Sequence, residues 1–214
     1  MFFSKSALLI IFAACTSCTM AQLAKYNSLS VKDLQASCEK NGGDIAQLET
    51  IHTKVDALFN EKLKEMSAEE ALKTDCNCLG PDLKTLLKEE MAVVKNCLKG
   101  EIELSDDDIK TLIGQSVKKL CALNRLSSFE KSLSTCINAD EQLACETIVL
   151  EPVEELENSD QFANLGLTFS PEGKKVWTDL LDCSSKAIEN CSEEEKKTHL
   201  ILTMRMKDAF KDRI

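Results

Sequence analysis

The sequence predicts an all-α fold, a single disulfide-stapled helical bundle of about eight or nine helices. Three observations predict it. The 214 residues include only 3 prolines and 7 glycines, with 5% aromatic residues and abundant Leu, Lys, Glu and Ala; sheets take more β-branched and aromatic side chains. Apolar residues recur at spacings of three and four, and no segment alternates convincingly with period two. Finally, 11 cysteines are spread along the chain, the pattern of a covalent framework rather than of one local site.

Each helix carries its own start and stop signals. Val31, Leu34 and Cys38 share one face, and Asn41-Gly42-Gly43 ends that segment. Asp44 caps a helix with Ile45, Leu48, Ile51, Val55 and Leu58 on its apolar stripe, and Ser67-Ala68-Glu69-Glu70 is a capping box for a short one. Pro81 suits a first helical turn, and the stripe from Leu83 to Leu98 ends at Gly100. Ser105 followed by Asp106-Asp107-Asp108 begins another helix, through Ile109, Leu112, Ile113, Val117, Leu120 and Cys121. Ser127-Ser128-Phe129-Glu130 reads as the start of a shorter helix ending near Ile137, and Asp140 as the start of the next, which Pro152 breaks. "ETIVL" at 146–150 is the one stretch with strand character. Residues 157–173 are the least periodic and read as a long loop or a subdomain seam within a single domain spanning 22–214. Ser170-Pro171 restarts a helix with Val176, Trp177, Leu180, Cys183 and Ile188, and Ser192 caps a last one with Leu200, Met204 and Phe210 as its apolar positions.

The first residues have the three-part layout of a secretory signal peptide: Lys5, an apolar run from Ala7 to Ala14, and small residues up to Ala21. That run is shorter than the roughly 20 residues a spanning helix needs. Ala13-Ala14-Cys15 also fits a lipoprotein cleavage site, a competing reading. Removing residues 1–21 takes away one cation and no acid, so the formal net charge goes from −10 to −11. Nucleic acid and anionic membrane are poor partners for such a surface, because both require clustered Lys and Arg.

Cleavage leaves nine cysteines: Cys38, Cys76, Cys78, Cys97, Cys121, Cys136, Cys145, Cys183 and Cys191. All are expected in disulfides of an oxidising compartment, apart from the odd one, which is free or links two chains, giving a monomer or a cysteine-linked dimer. Antiparallel packing of the helices at 81–99 and 106–121 brings Cys121 back to the Cys76-Asn77-Cys78 turn, so one of that pair is expected to bond Cys121 and the other to reach Cys38. Cys97, at the hairpin bend, is then left to Cys136 or Cys145. Cys183 and Cys191 are eight residues apart, about 12 Å in a continuous helix; they bond each other only if the helix breaks before Ser192, and otherwise staple to other elements.

Other chemistries find little support. A zinc site needs paired Cys/His motifs, yet His52 and His199, the only histidines, lie on separate helices. His52 reads as a surface or boundary residue and His199 sits at helical spacing in "KKTHLIL". The Asp106–Asp108 and Glu193–Glu195 runs lack the spacing of a calcium loop and read as helix-start acids. Trp177 and the Met204/Met206 pair read as core or core-edge residues. No catalytic residue, metal or cofactor is expected. Asn190-Cys191-Ser192 is the one Asn-x-Ser/Thr glycosylation acceptor, with Asn190 as the modified residue.

Four stretches carry a family resemblance: "LQASCEKNGG", "KTDCNCLGPDLKTLLKEEMAVVKNCL", "DDDIKTLIGQSVKKLC" and "LLDCSSKAIENC". They resemble the insect haemolymph glycoproteins of the 27 kDa type, and the resemblance covers most of the mature chain. It implies a secreted helical protein of a body fluid and supplies no catalytic residues. Together with the leader and cysteines it leads to an expectation of a non-enzymatic extracellular protein with a binding, carrier or storage role, for a small apolar ligand or an extracellular protein partner. The alternative is a secreted effector of the salivary or venom type that engages a protein target.

Overall fold

Helix formation follows the capping signals closely. The structure, a computed structural model, describes residues 29, 31–74, 78–145, 147 and 171–210. Among these residues there are eight helices and no strand: α1 (Val31–Asn41), α2 (Ile45–Lys62), α3 (Ala68–Leu72), α4 (Gly80–Cys97), α5 (Asp106–Ser132), α6 (139–145), α7 (Pro171–Ala187) and α8 (Glu193–Ala209). The leader at 1–21, the strand-like residues 148–150, Pro152 and most of the seam at 157–173 lie outside the described residues.

Ser67, Ser105 and Ser192 each cap a helix with the reciprocal bonds of a capping box, to Glu70, Asp108 and Glu195. Asp44 caps α2 by accepting the Gln47 N–H at 3.0 Å. Pro81 lies in the first turn of α4. At α6 the cap is Asn138, whose Oδ1 accepts the N–H groups of Asp140 and Glu141 at 3.1 and 3.3 Å. Asp140, expected to start that helix, is its second residue.

α4 and α5 form an antiparallel hairpin. α1 and α2 pack on α4, α8 packs along α5, α7 lies against α8, and α3 is wedged between α5 and α8. One apolar core runs through all of this, from Leu34 and Phe59 through Leu87, Leu120 and Phe129 to Met206. α5 is the central strut, 27 residues long, which at 1.5 Å per residue is about 40 Å.

The continuity of α5 overturns the expected separate helix at 127–137. Ser128 is fully buried inside the helix rather than capping a new one. Leu123, Leu126 and Phe129 carry the buried stripe onward, and residues 122–126 contain neither Gly nor Pro to stop it. A capping serine itself takes an extended backbone, and burial of Ser128 inside the packed bundle holds it helical.

α8 departs from its expected face. Leu200 and Met204 are 55% and 57% exposed, whereas Thr198, His199, Leu202, Thr203, Met206 and Ala209 are buried. The core face is therefore half polar. Met206 fits a core position and Met204 does not.

Candidate functional site

Four disulfides form the framework: Cys38–Cys97, Cys78–Cys121, Cys136–Cys191 and Cys145–Cys183. The Cys-x-Cys turn meets α5 through Cys78, whose Cα is 5.7 Å from that of Cys121. The other expected pairings are corrected. Cys38 does not reach the Cys-x-Cys turn, and Cys97 reaches neither Cys136 nor Cys145; the two bond each other. The reason is the docking of α1 along α4, which sets the end of α1 beside the end of α4. Asn41 Nδ2 donates to the Cys97 carbonyl at 2.6 Å, and Ser37 and Lys40 bond the two oxygens of Glu101 at 2.8 and 2.6 Å.

The helix does break between Cys183 and Cys191, with a turn at 188–190, yet each bonds elsewhere. Cys183 in α7 faces Cys145 in α6, and Cys191 joins the loop after α5. The bonds thus fall into two sets, an interlaced pair within 38–121 and a nested pair within 136–191; α5 carries Cys121 of the first set and ends at Ser132, just before the loop that carries Cys136 of the second. Cys76 lies outside the described residues.

Two histidine–glutamate pairs are the chemical feature that spacing alone did not reveal. His52 of α2, 18% exposed in its side chain, shares a hydrogen bond of 3.1 Å with Glu90 Oε1 of α4. Glu90 is 3% exposed, and its Oε2 has no hydrogen-bond partner. Burial pushes its carboxyl up from the ordinary value, and the hydrogen bond and charge of His52 oppose that without cancelling it. His199 of α8, fully buried, bonds Glu130 Oε1 of α5 through Nε2 at 2.9 Å. With Nε2–H donating to Glu130, Nδ1 accepts the Thr203 hydroxyl at 3.4 Å.

The chain Thr203–His199–Glu130 has the residue types of a nucleophile relay. Thr203 is only 3% exposed and shares its helix with His199, so the three serve as a polar clamp between α8 and α5. All eight described cysteines are in disulfides, and no described thiol stands beside either histidine. The one potential metal cluster among the described residues is Cys136, Cys191 and Glu195; both of its sulfurs are held in the disulfide, and Glu195 Oε2 already accepts the Ser192 N–H and hydroxyl at 2.8 and 2.7 Å.

The acidic runs cap helices as their positions imply: Asp106–Asp108 and Glu193–Glu195 occupy the first turns of α5 and α8. Asn190 is exposed in the turn between α7 and α8. Leu143, Leu200 and Met204 are the large apolar side chains on the described surface, 63%, 55% and 57% exposed. No described helix is long and apolar enough to cross a membrane. One glutamate partner could have been suspected from sequence, since Glu90 falls on the stripe of α4 one residue before Met91, where a charge is out of place. Glu130 gave no such signal. Comparison with protein-family models, with curated proteins and with solved structures finds no match.

Proposed function

We infer that the chain is a secreted, disulfide-stapled protein of an extracellular fluid, of the kind found in haemolymph, that acts without covalent chemistry in a binding, carrier or storage role. One observation carries the reading. Four disulfides cross-link the described chain from α1 to the turn before α8, closing loops with sequence separations of 38 to 59, a framework suited to an oxidising compartment. The leader-like residues 1–21 and the acidic balance that remains without them support export and argue against nucleic acid as partner. The ligand class is a small apolar molecule or an extracellular protein.

The test is expression of the full chain in a eukaryotic secretory cell. Product in the medium beginning at Gln22 is expected, and native mass spectrometry should show added mass from a co-purified apolar molecule. Retention in the cell overturns export, and a bare mass that fatty acids and sterols do not change overturns the carrier role.

A second reading, a secreted effector that engages a protein target, is favoured by Leu200 and Met204. They lie one turn apart on the outer face of α8, both more than half exposed. Loss of target binding in Leu200→Glu and Met204→Glu, with unchanged folding, distinguishes it from the carrier.

A further inference from the structure

Asn190-Cys191-Ser192 is held in three different ways in the fold. Asn190 is exposed in the turn at 188–190. Cys191 is 5% exposed, is bonded to Cys136, and donates its N–H to the Ile188 carbonyl at 2.9 Å. Ser192 is the cap of α8: its N–H and hydroxyl donate to Glu195 Oε2 at 2.8 and 2.7 Å, and its Oγ accepts the Glu195 N–H at 3.3 Å. The Asn138 N–H donates to the Ala187 carbonyl at 2.8 Å, which pins the same turn to the loop carrying Cys136.

N-glycosylation forms a bond between a sugar C1 and the asparagine Nδ2 and breaks the C1–O bond to a lipid-linked pyrophosphate. The amide proton is released and the lipid pyrophosphate leaves. An amide nitrogen is a poor nucleophile because its lone pair is delocalised into the carbonyl. The transferase therefore needs the triplet open and extended, with the hydroxyl two residues on available to it. In the folded chain that hydroxyl is inside the capping box and the middle residue is covalently fixed.

We propose that Asn190 is an N-glycosylation site whose occupancy is decided by a race with closure of the Cys136–Cys191 disulfide. A chain that closes the bond first leaves Asn190 bare. A chain modified first still folds, because the Asn190 side chain is already at the surface. Disulfide closure runs from seconds upward, and the acceptor is open to the transferase only until that closure. The sequence motif supplies the acceptor; the disulfide and the cap supply the competition.

This rests on the export reading, and the experiment separates the two. Wild type, Cys136→Ala and Asn190→Gln are expressed in a eukaryotic secretory cell, and Asn190 occupancy is measured by peptide mass spectrometry in medium and cell extract alike, so that a variant retained for misfolding is still read. Wild type should be partly occupied, Cys136→Ala should raise occupancy by about twofold or more, and Asn190→Gln should abolish the glycan. Asn190 bare in both wild type and Cys136→Ala, or equally occupied in both, overturns the proposal. A product that keeps residues 1–21 refutes export instead, and an exogenous leader in their place then reads the race directly.

Discussion

His52 Nε2 lies 3.1 Å from Glu90 Oε1 across the α2–α4 interface, while the other Glu90 oxygen is buried without a partner. A carboxyl so placed holds its proton to higher pH in the folded chain than in the unfolded one, as its raised value states. The folded state therefore binds more protons across the window between those two values, and stability falls as pH rises through it. Glu90→Gln keeps a hydrogen-bonding group opposite His52 and removes the titration. The variant should match wild type near about pH 4 and exceed it at about pH 8. Urea midpoints with the disulfides intact check this; parallel pH profiles for the two proteins would refute it.

A second prediction concerns the Cys38–Cys97 staple. A Cβ built on Gly43 would overlap the Cys97 sulfur, and it would also touch the Cys38 backbone at 3.4 Å. Neither neighbour can move away freely. Gly42, by contrast, takes φ +71 with open space around it. Gly42→Ala should cost about 1 kcal/mol from its left-handed backbone, and Gly43→Ala about 1–3 kcal/mol from overpacking. In a Cys38→Ala/Cys97→Ala background, itself weaker by about 4 kcal/mol in the chain-entropy account, the Gly43→Ala penalty should shrink toward zero. An unchanged penalty there would show that the sulfur is not what the methyl meets.

Counting gives the third. Residues 22–214 contain nine cysteines, and eight of them pair with one another, which leaves Cys76 without a cysteine of that span to bond. Alkylation of the unreduced, denatured protein should label Cys76 alone, or, if a dimer band runs without reductant, a mapped bridge should contain Cys76. Label on any of the other eight contradicts the pairing.

Helix starts were legible from sequence because capping is local: Ser67, Ser105 and Ser192 each act on an N–H three residues ahead. The hairpin pairing of Cys78 with Cys121 was legible up to the choice between Cys76 and Cys78 for a related reason, since a short loop fixes which helix ends meet. The Cys38–Cys97 bond depends on how α1 docks on α4, a choice made by surfaces 59 residues apart in sequence. The continuity of α5 was hidden by Ser127-Ser128, which imitate a cap wherever neighbouring layers do not forbid one. His199 and Glu130 were invisible as a pair, since nothing in either helix alone marks residues 69 apart as partners.

The clamp they form yields the fourth prediction. His199 is completely buried, with Glu130 on one ring nitrogen and Thr203 on the other. His199→Leu removes both bonds and leaves the buried Thr203 hydroxyl and the 25% exposed Glu130 carboxylate without that partner, and an unsatisfied buried polar group costs about 1–3 kcal/mol. Thr203→Val removes only the longer bond and should cost under about 1 kcal/mol. Thermal unfolding of the two variants should therefore show a clear drop for the first and a small one for the second; equal drops would mean that α8 is held by shape alone.

The face of α8 gives the last. Leu200 and Met204 are the residues a helical pattern selects as core, yet Leu202 is 2% exposed and Met206 fully buried. Apolar content along α8 is similar on both sides, so periodicity has little to choose between them, and the bond of His199 to Glu130 of α5 favours the observed face, which also buries Thr198 and Thr203. Leu202→Ala should then cost about 2–5 kcal/mol, the usual range for emptying a buried leucine site. Leu200→Ala should stay within about 0.5 kcal/mol, as exposed positions do. If urea titrations reversed that order, the helix would be turned the other way, and the histidine that clamps it would face water instead of α5.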